Sequence, residues 1–133
     1  MSTRVSAKRI LAVENDELVR SFLEAGLATA GYEVDTACNG REALAMLDHG
    51  AYDLVISDAR MPELDGPGLC RALEERHSDA LRRFIFLTTP DSRDTHHAFL
   101  AAVGAPALTK PICLDDLCYV VEKMLEINAA QPC

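Results

Sequence analysis

The chain has 133 residues, a length that suits one domain, and 49% of its residues are apolar, which is enough for a core. Its 21 acidic and 13 basic residues leave a formal net charge of −8, which argues against a basic nucleic-acid-binding surface on this domain. No apolar run approaches the ~20 residues of a membrane-spanning helix. The polar start lacks the apolar stretch of a signal peptide. We therefore expect a cytoplasmic protein with a disordered lead-in over 1–7, one domain over 8–128 and a tail over 129–133.

Five cysteines are spread along the chain without a CxxC pair: Cys38, Cys70, Cys113, Cys118 and Cys133. Their odd number and their spacing argue against a disulfide framework or a zinc site. We expect small buried thiols in a reducing compartment, with the terminal cysteine exposed.

The first half of the chain alternates apolar runs with helical patterns. The run over 10–13 predicts a strand buried on both faces. Apolar residues at helical spacing then mark one side of a first helix: Leu18, Phe22, Leu23 and Leu27. Gly31 ends that helix. The alternating segment 32–37 predicts a half-exposed edge strand, and a second helix covers 41–49 after the Asn39-Gly40 turn.

The second half continues the alternation. Further strands are predicted over 54–56, 84–87 and 107–109, and a loop is predicted to begin at Asp58. Further helices are predicted from Pro67, over 91–103 and after Pro111. Five βα units in succession favour an α/β fold, with a parallel sheet covered by helices on both faces.

Polar side chains follow the predicted strands, at the edge where α/β folds bind ligands. They are Glu14, Asn15, Asp16 and Glu17 after the first strand, Asp58 after the third, Thr88 and Thr89 after the fourth, and Lys110 after the fifth. Oxygen ligands such as carboxylates suit Mg²⁺. A carboxylate can also take a phosphoryl group as an aspartyl phosphate, and catalysis of that transfer is mainly positioning and charge neutralisation.

These motifs resemble the receiver domain of bacterial two-component response regulators. The resemblance runs from about Lys8 to Glu126 and depends on ILAVEND, LVISDARMPELDG, FLTT and LTKP, in this order and at the family's spacing. It implies a doubly wound five-stranded parallel sheet in the order 2-1-3-4-5, the flavodoxin-like (βα)5 receiver fold.

The resemblance also implies a role for each polar residue of the site. Asp58 would be the phosphoacceptor, and Thr88 and Lys110 would contact phosphoryl oxygens. The implied Mg²⁺ ligands are the side chains of Glu14, Asn15 and Asp58 and the backbone carbonyl of Arg60. The peptide bond between Lys110 and Pro111 is expected to be cis, as is typical of this family.

Two positions depart from the family pattern. Asn15 stands where an aspartate is more common, so it brings no charge and we expect weaker Mg²⁺ affinity. Ala107 stands where a Tyr or Phe ring usually turns inward on activation. The face formed by the fourth helix, the fifth strand and the last helix is therefore expected to couple to phosphorylation differently or weakly. The residues alone leave other readings open: Asn15 suits a helix N-cap, Asp16 suits a helix N-terminus, and Arg60 reaches either the phosphoryl group or solvent.

We therefore expect a phosphorylation-dependent switch that receives its phosphoryl group from a histidine kinase or a histidine phosphotransfer protein. The stretch FLAAVGAPALTKPI is similar to receivers at the C-terminus of hybrid histidine kinases, so a stand-alone receiver and a relay domain both remain open. A homodimer through the fourth predicted helix, the fifth strand and the last helix is expected, with no direct DNA binding and no membrane insertion. Self-catalysed phosphorylation and hydrolysis are expected, without a separate enzymatic activity.

Two other functions compete with this interpretation of the sequence. A haloacid-dehalogenase-like phosphatase also uses an aspartyl phosphate, but its nucleophile follows the first strand in a DxD motif, whereas Asp58 follows the third. The second rival is a degenerate receiver that acts as a phosphate-independent adaptor, an alternative that Asn15 and Ala107 keep open.

Overall fold

The computed structural model describes residues 8–59, 68–69, 71–73, 83–89 and 106–130. The elements in chain order are β1 (Arg9–Val13), α1 (Glu17–Thr29), β2 (Glu33–Ala37), α2 (Gly40–His49), β3 (Leu54–Asp58), β4 (Phe84–Thr88), β5 (Ala107–Thr109) and the C-terminal helix (Leu114–Ala130). Residues 68–69 and 71–73 are helical as well. The predictions for Arg60, Pro67 and the helix over 91–103 lie outside the described residues.

The strands form one parallel sheet in the order β2-β1-β3-β4-β5. This order confirms the doubly wound α/β fold that the resemblance implies. The register places Val13 of β1 between Ala37 of β2 and Ser57 of β3. The carboxyl ends of these strands therefore meet at one edge of the sheet.

The interior strands β1, β3 and β4 form the core, because helices and loops cover both faces of a parallel sheet. Alternate side chains enter two apolar clusters, one containing Leu11, Val55 and Phe84 and the other containing Ile10 and Ile56. Strand β2 lies at the edge and is half exposed, as its alternating sequence predicts.

Side-chain caps fix where α1 and α2 begin. An oxygen of Asp16 accepts hydrogen bonds from two backbone N–H groups in the first turn of α1. Asn39 is the N-cap of α2, and its side-chain oxygen accepts a hydrogen bond from the N–H of Glu42 at 2.8 Å. Asp16 is therefore the N-cap of α1, as its predicted place at the helix N-terminus suggests, and Asn15 is not.

The four apolar residues that the sequence pattern places on one side of α1 are not all buried. Leu23 and Leu27 are buried, but Leu18 is 82% exposed and Phe22 is 41% exposed. A helix that covers a sheet buries the side chains pointing straight at the strands, and side chains at the flank of the stripe stay in solvent unless another element covers them.

The first residue of the C-terminal helix, Leu114, contacts α1 at Gly26. A Cβ atom at Gly26 of α1 would lie 2.6 Å from Cδ1 of Leu114, so the absence of a side chain at this position allows the close approach. Leu117 and Val121 are buried on the inner side of the helix. Over the described parts of the chain, no helix has the length and apolar character needed to cross a membrane.

The expectation of buried thiols is also wrong for the cysteines that the structure describes. Cys38 and Cys113 are exposed free thiols, and Cys118 is half-buried. The first two occupy loops that follow strands, where the chain runs along the surface and offers little apolar cover.

Candidate functional site

Glu14, Asp58 and Lys110 meet at the carboxyl edge of the sheet. Asp58 is the last residue of β3 and not the first residue of a loop, because it still pairs with Leu87 of β4. Glu14 follows β1 directly. The Nζ atom of Lys110 lies 2.9 Å from Oδ2 of Asp58 and 3.0 Å from Oε1 of Glu14. One ammonium group thus bridges two carboxylates from neighbouring strands.

These three charged side chains are largely withdrawn from water. Glu14 is 1% exposed and Asp58 is 7% exposed, while the Lys110 side chain is 19% exposed. Buried ions are tolerated when partners of opposite charge compensate them. Two carboxylates and one ammonium leave this cluster negative, so it attracts a further cation.

Burial and ion pairing shift the pKa values of this cluster. Burial raises the pKa of the Glu14 carboxyl above its ordinary value, and it prevails over the backbone N–H of Asp16 and the Lys110 ammonium, which lower the pKa. For Lys110, burial acts to lower the pKa, but the hydrogen bond to Asp58 and the ion pair with Glu14 outweigh it, and the pKa is raised. Lys110 is therefore held as a charged ammonium.

Thr88 and Lys110 are joined through the backbone. The N–H of Lys110 donates to the carbonyl oxygen of Thr88 at 2.7 Å. Thr88 is the half-buried last residue of β4. The peptide bond between Lys110 and Pro111 is cis, which confirms the expectation from the resemblance. The structure therefore brings together the two residues for which the sequence predicts contacts with phosphoryl oxygens.

Side-chain hydrogen bonds hold the loop between β1 and α1. Oε2 of Glu14 accepts from the N–H of Asp16 at 2.9 Å. Nη1 of Arg20 donates to the carbonyl oxygen of Glu14 at 2.8 Å and to that of Asn15 at 3.4 Å. Arg20 is not among the site residues predicted from the sequence, because an arginine on an amphipathic helix is ordinarily solvated. Its position in the sequence could have indicated this contact, because a long side chain in the first turn of a helix can contact the loop that precedes the helix.

The donor atoms at this edge fit a hard divalent cation. Oε1 of Glu14 is buried, and its contact within the described residues is the ion pair with the Lys110 ammonium at 3.0 Å. Mg²⁺ commonly takes one or two carboxylates and completes its shell with water and phosphate. Within the described ranges, no three His, Cys, Asp or Glu side chains are grouped so that they could hold a metal ion by themselves. Asn15 lies exposed beside Glu14, and the predicted carbonyl ligand of Arg60 lies outside those ranges.

A doubly wound sheet with an acidic and lysine cluster at its carboxyl edge is the architecture of a receiver-type signalling domain. The family model for the response regulator receiver domain matches residues 10–122, and the chain belongs to that family. This membership confirms the resemblance on which the sequence analysis depends.

The chain is similar to parts of a sensor kinase and of a transcriptional regulatory protein. The chain is 38% identical over 123 residues to the sensor kinase CckA of Brucella abortus, covering 88% of this chain and 12% of that protein. It is 35% identical over 130 residues to the transcriptional regulatory protein PrrA of Mycobacterium leprae, covering 98% of this chain and 55% of that protein. The chain thus spans about half the length of the regulator and a small part of the kinase.

A solved structure shares the fold and bears on the metal. The response regulator TrrA of Thermotoga maritima, in complex with Mg²⁺ and BeF, matches with a TM-score of 0.75 at 35% identity, covering 88% of this chain and 98% of that chain. Receiver domains bind Mg²⁺ at their phosphorylation site and interact with histidine kinases or phosphotransfer proteins. They are signalling proteins and not conventional enzymes.

Proposed function

We propose that this domain is a switch in which Asp58 accepts a phosphoryl group with Mg²⁺ as the cofactor. The observation that carries the proposal is the buried contact of one Lys110 ammonium with Asp58 at 2.9 Å and with Glu14 at 3.0 Å. A carboxylate nucleophile, a cation for the phosphoryl oxygens and a second acid for a metal are the groups that this chemistry needs.

The proposed transfer gives every residue of the site a role. A carboxylate oxygen of Asp58 attacks the phosphorus of a phosphohistidine, and the phosphorus–nitrogen bond breaks. An aspartyl phosphate forms, and the donor's imidazole leaves with the bonding electron pair and takes up a proton from solvent. Lys110 leaves its bridge between the carboxylates and pairs with a phosphoryl oxygen, and the Thr88 hydroxyl donates to another. The proposed metal ligands are the side chains of Glu14, Asn15 and Asp58 and the carbonyl of Arg60. Mg²⁺ bound there supplies positive charge that neutralises the transferring group.

The proposed donor is a histidine kinase or a histidine phosphotransfer protein. Leu18 and Phe22 of α1, together with Pro111 and Ile112, line a shallow apolar groove that extends to Lys110. Apolar side chains exposed beside the phosphoacceptor support the approach of a protein donor at this edge. Hydrolysis of the aspartyl phosphate is part of the proposal as a self-catalysed step.

The remaining features of the proposal concern the domain as a unit. It covers 8–128, lies in the cytoplasm and forms a homodimer through the predicted helix 91–103, β5 and the C-terminal helix. Exposed Tyr119 and Ile127 support an interaction surface on that helix. The net charge of −8 supports the absence of direct DNA binding by this domain.

The test is incubation with acetyl phosphate and Mg²⁺ followed by mass spectrometry of the intact chain. We expect a gain of one phosphoryl group in the wild type and none in Asp58→Asn, the matched control that removes the nucleophile and keeps the shape. Chelation of Mg²⁺ should also prevent the gain. A wild-type chain that accepts no phosphoryl group, from a small donor or from a kinase, would instead favour the phosphate-independent adaptor.

A further inference from the structure

Arg20 reaches from the first turn of α1 back over the loop that carries two proposed metal ligands. Its Nη1 atom donates to the carbonyl oxygens of Glu14 at 2.8 Å and Asn15 at 3.4 Å. Its own N–H donates to the carbonyl of Asp16 at 2.9 Å as part of the helix. Arg20 is half-buried, so its guanidinium lies against the protein and not free in solvent.

The hydrogen bonds of Glu14 show what this contact does. Its N–H donates to Ala37 of β2 at 3.0 Å, its Oε2 accepts from the N–H of Asp16 at 2.9 Å, and its carbonyl accepts from Arg20. These bonds fix the backbone and one carboxylate oxygen, and they leave the buried Oε1 at the site. Among them, the bond from Arg20 is the one that a side-chain substitution removes without altering the ligand itself.

We infer that Arg20 is a positioning residue that holds the carbonyls of Glu14 and Asn15 and thereby keeps both side chains aimed at the Mg²⁺ site. The inference rests on the proposed function, because it concerns the metal of that site. Orientation matters more here than in a site with two acids, because the amide oxygen of Asn15 is a neutral and directional ligand. The planar guanidinium suits the task, since it presents several donors in a rigid fork.

The Arg20 guanidinium affects Mg²⁺ affinity in two ways, through its charge and through the ligands that it positions, and the two effects have opposite signs. As a nearby positive charge alone, Arg20 would repel Mg²⁺, and its removal would tighten binding. As a positioning residue, its removal loosens the ligands and weakens binding. Loss of a side chain that orients metal ligands typically costs about 10-fold or more in metal affinity.

The experiment is a Mg²⁺ titration of the unphosphorylated protein, followed by ¹⁵N–¹H NMR. We expect Arg20→Met, which removes the donors and keeps an apolar stem, to bind Mg²⁺ about 10-fold more weakly than the wild type. Arg20→Lys keeps the charge but offers a single point donor, so we expect an intermediate loss. Lys8→Met removes one exposed positive charge at the opposite edge of the sheet and should leave the affinity unchanged. In the metal-free protein, hydrogen exchange at the Asp16 amide should be faster in Arg20→Met than in Lys8→Met.

An Arg20→Met affinity equal to or tighter than that of the wild type would overturn the inference. Should Arg20→Met not fold, Arg20→Lys decides, and wild-type affinity in that variant would overturn it. Because the readout needs no phosphoryl group, the proposed function and the inference fail separately. If the protein binds Mg²⁺ in an Arg20-dependent way but accepts no phosphoryl group, the proposed function is wrong and the inference about Arg20 stands. If the wild type binds no Mg²⁺, both are wrong.

Discussion

The surroundings of Glu14 oppose the charge of its carboxylate. Burial raises its pKa above the ordinary 4.5, although the N–H of Asp16 and the Lys110 ammonium act to lower it. Because the folded-state pKa is raised, the protonated carboxyl contributes stability that is fully present below pH 4.5 and is lost as pH rises through the folded-state pKa. At neutral pH, the ionised Glu14 therefore lowers the stability of the metal-free protein.

We expect Glu14→Gln to raise the free energy of unfolding of the metal-free protein at neutral pH, because it removes a buried charge that the Lys110 ammonium compensates only in part. The same substitution should weaken Mg²⁺ binding, because it replaces a carboxylate with a neutral amide. Urea unfolding in the presence of a chelator and a Mg²⁺ titration measure the two effects. Glu17→Gln is the control, since Glu17 is exposed in the first turn of α1 and its removal should stabilise nothing. A less stable Glu14→Gln protein would show that pairing with Lys110 outweighs burial.

Asn15 determines how much charge the metal site offers. We expect Asn15→Asp to tighten Mg²⁺ binding, because one added charge at ~4 Å is worth roughly 4 kcal/mol of gross Coulomb attraction at an effective dielectric of ~20. Asn15 is exposed, so solvent screens most of that energy and a several-fold gain in affinity is the expected result. Calorimetric titration with Mg²⁺ measures it. Asn39→Asp is the matched control, because it adds the same charge at the N-cap of α2 and keeps the capping oxygen. Equal affinities for Asn15→Asp and the wild type would refute the argument from charge.

At the scale of elements, a polar network ties the starts of β1 and β3 to the edge strand β2. Oδ2 of Asp35 accepts from the Tyr52 hydroxyl at 2.7 Å and from the guanidinium of Arg9 at 3.1 Å. The Arg9 guanidinium also lies 4.7 Å from the centre of the Tyr52 ring. Burial, followed by the hydrogen bond to Asp35, raises the pKa of Tyr52 to about 12. The network therefore depends on a protonated phenol.

We expect Tyr52→Phe to lower the free energy of unfolding at neutral pH by about 1–2 kcal/mol, the lower part of the scale for a hydrogen bond to a charged group, because the Asp35 side chain is half-exposed. Because the folded-state pKa is raised, the contribution of the phenol is fully present below pH 10 and is lost as pH rises through about 12. The difference between wild type and variant should therefore shrink between those values. Urea unfolding across this range measures it, with Tyr119→Phe as the control on an exposed ring. A difference that stays constant with pH would exclude the phenol as its source.

At the scale of the whole molecule, Ala107 affects how phosphorylation of Asp58 is transmitted to the C-terminal helix. Ala107 is the exposed first residue of β5 and offers no ring that could move between two positions. A switch needs an element with two arrangements whose balance the phosphoryl group shifts. Without such a ring, we expect the response to phosphorylation to stay close to the site.

We expect Ala107→Tyr to extend that response to the C-terminal helix. The measurement is the change of backbone NMR shifts on addition of beryllofluoride and Mg²⁺, in the wild type and in the variant. Thr109→Tyr is the matched control, because it places the same ring on the same exposed side of β5, two residues further along. Large shifts along the C-terminal helix of the wild type would show that coupling needs no aromatic residue at this position.

Much of this architecture could be predicted from local sequence. Apolar runs such as 10–13 and 54–56 mark strands that are covered on both faces, and the alternation of β2 marks an edge strand. Asp58 and Lys110 stand out in the sequence because each follows an apolar run, and parallel strands bring their carboxyl ends together. The strand order itself came from the resemblance to receiver domains, since periodicity alone does not specify which strands are neighbours.

The sequence by itself determined the class of fold and the chemical types at the edge of the sheet, because both follow from short-range pattern and from motif order. Only the tertiary structure decided which atoms meet. Lys110 bridges Asp58 and Glu14 because three strands distant in the chain end at one level of the sheet. The Arg20 side chain reaches the carbonyl of Glu14 because the first turn of α1 lies beside the loop that precedes it. Leu18 is exposed because burial depends on what packs against a helix face, which the residues of that helix do not specify.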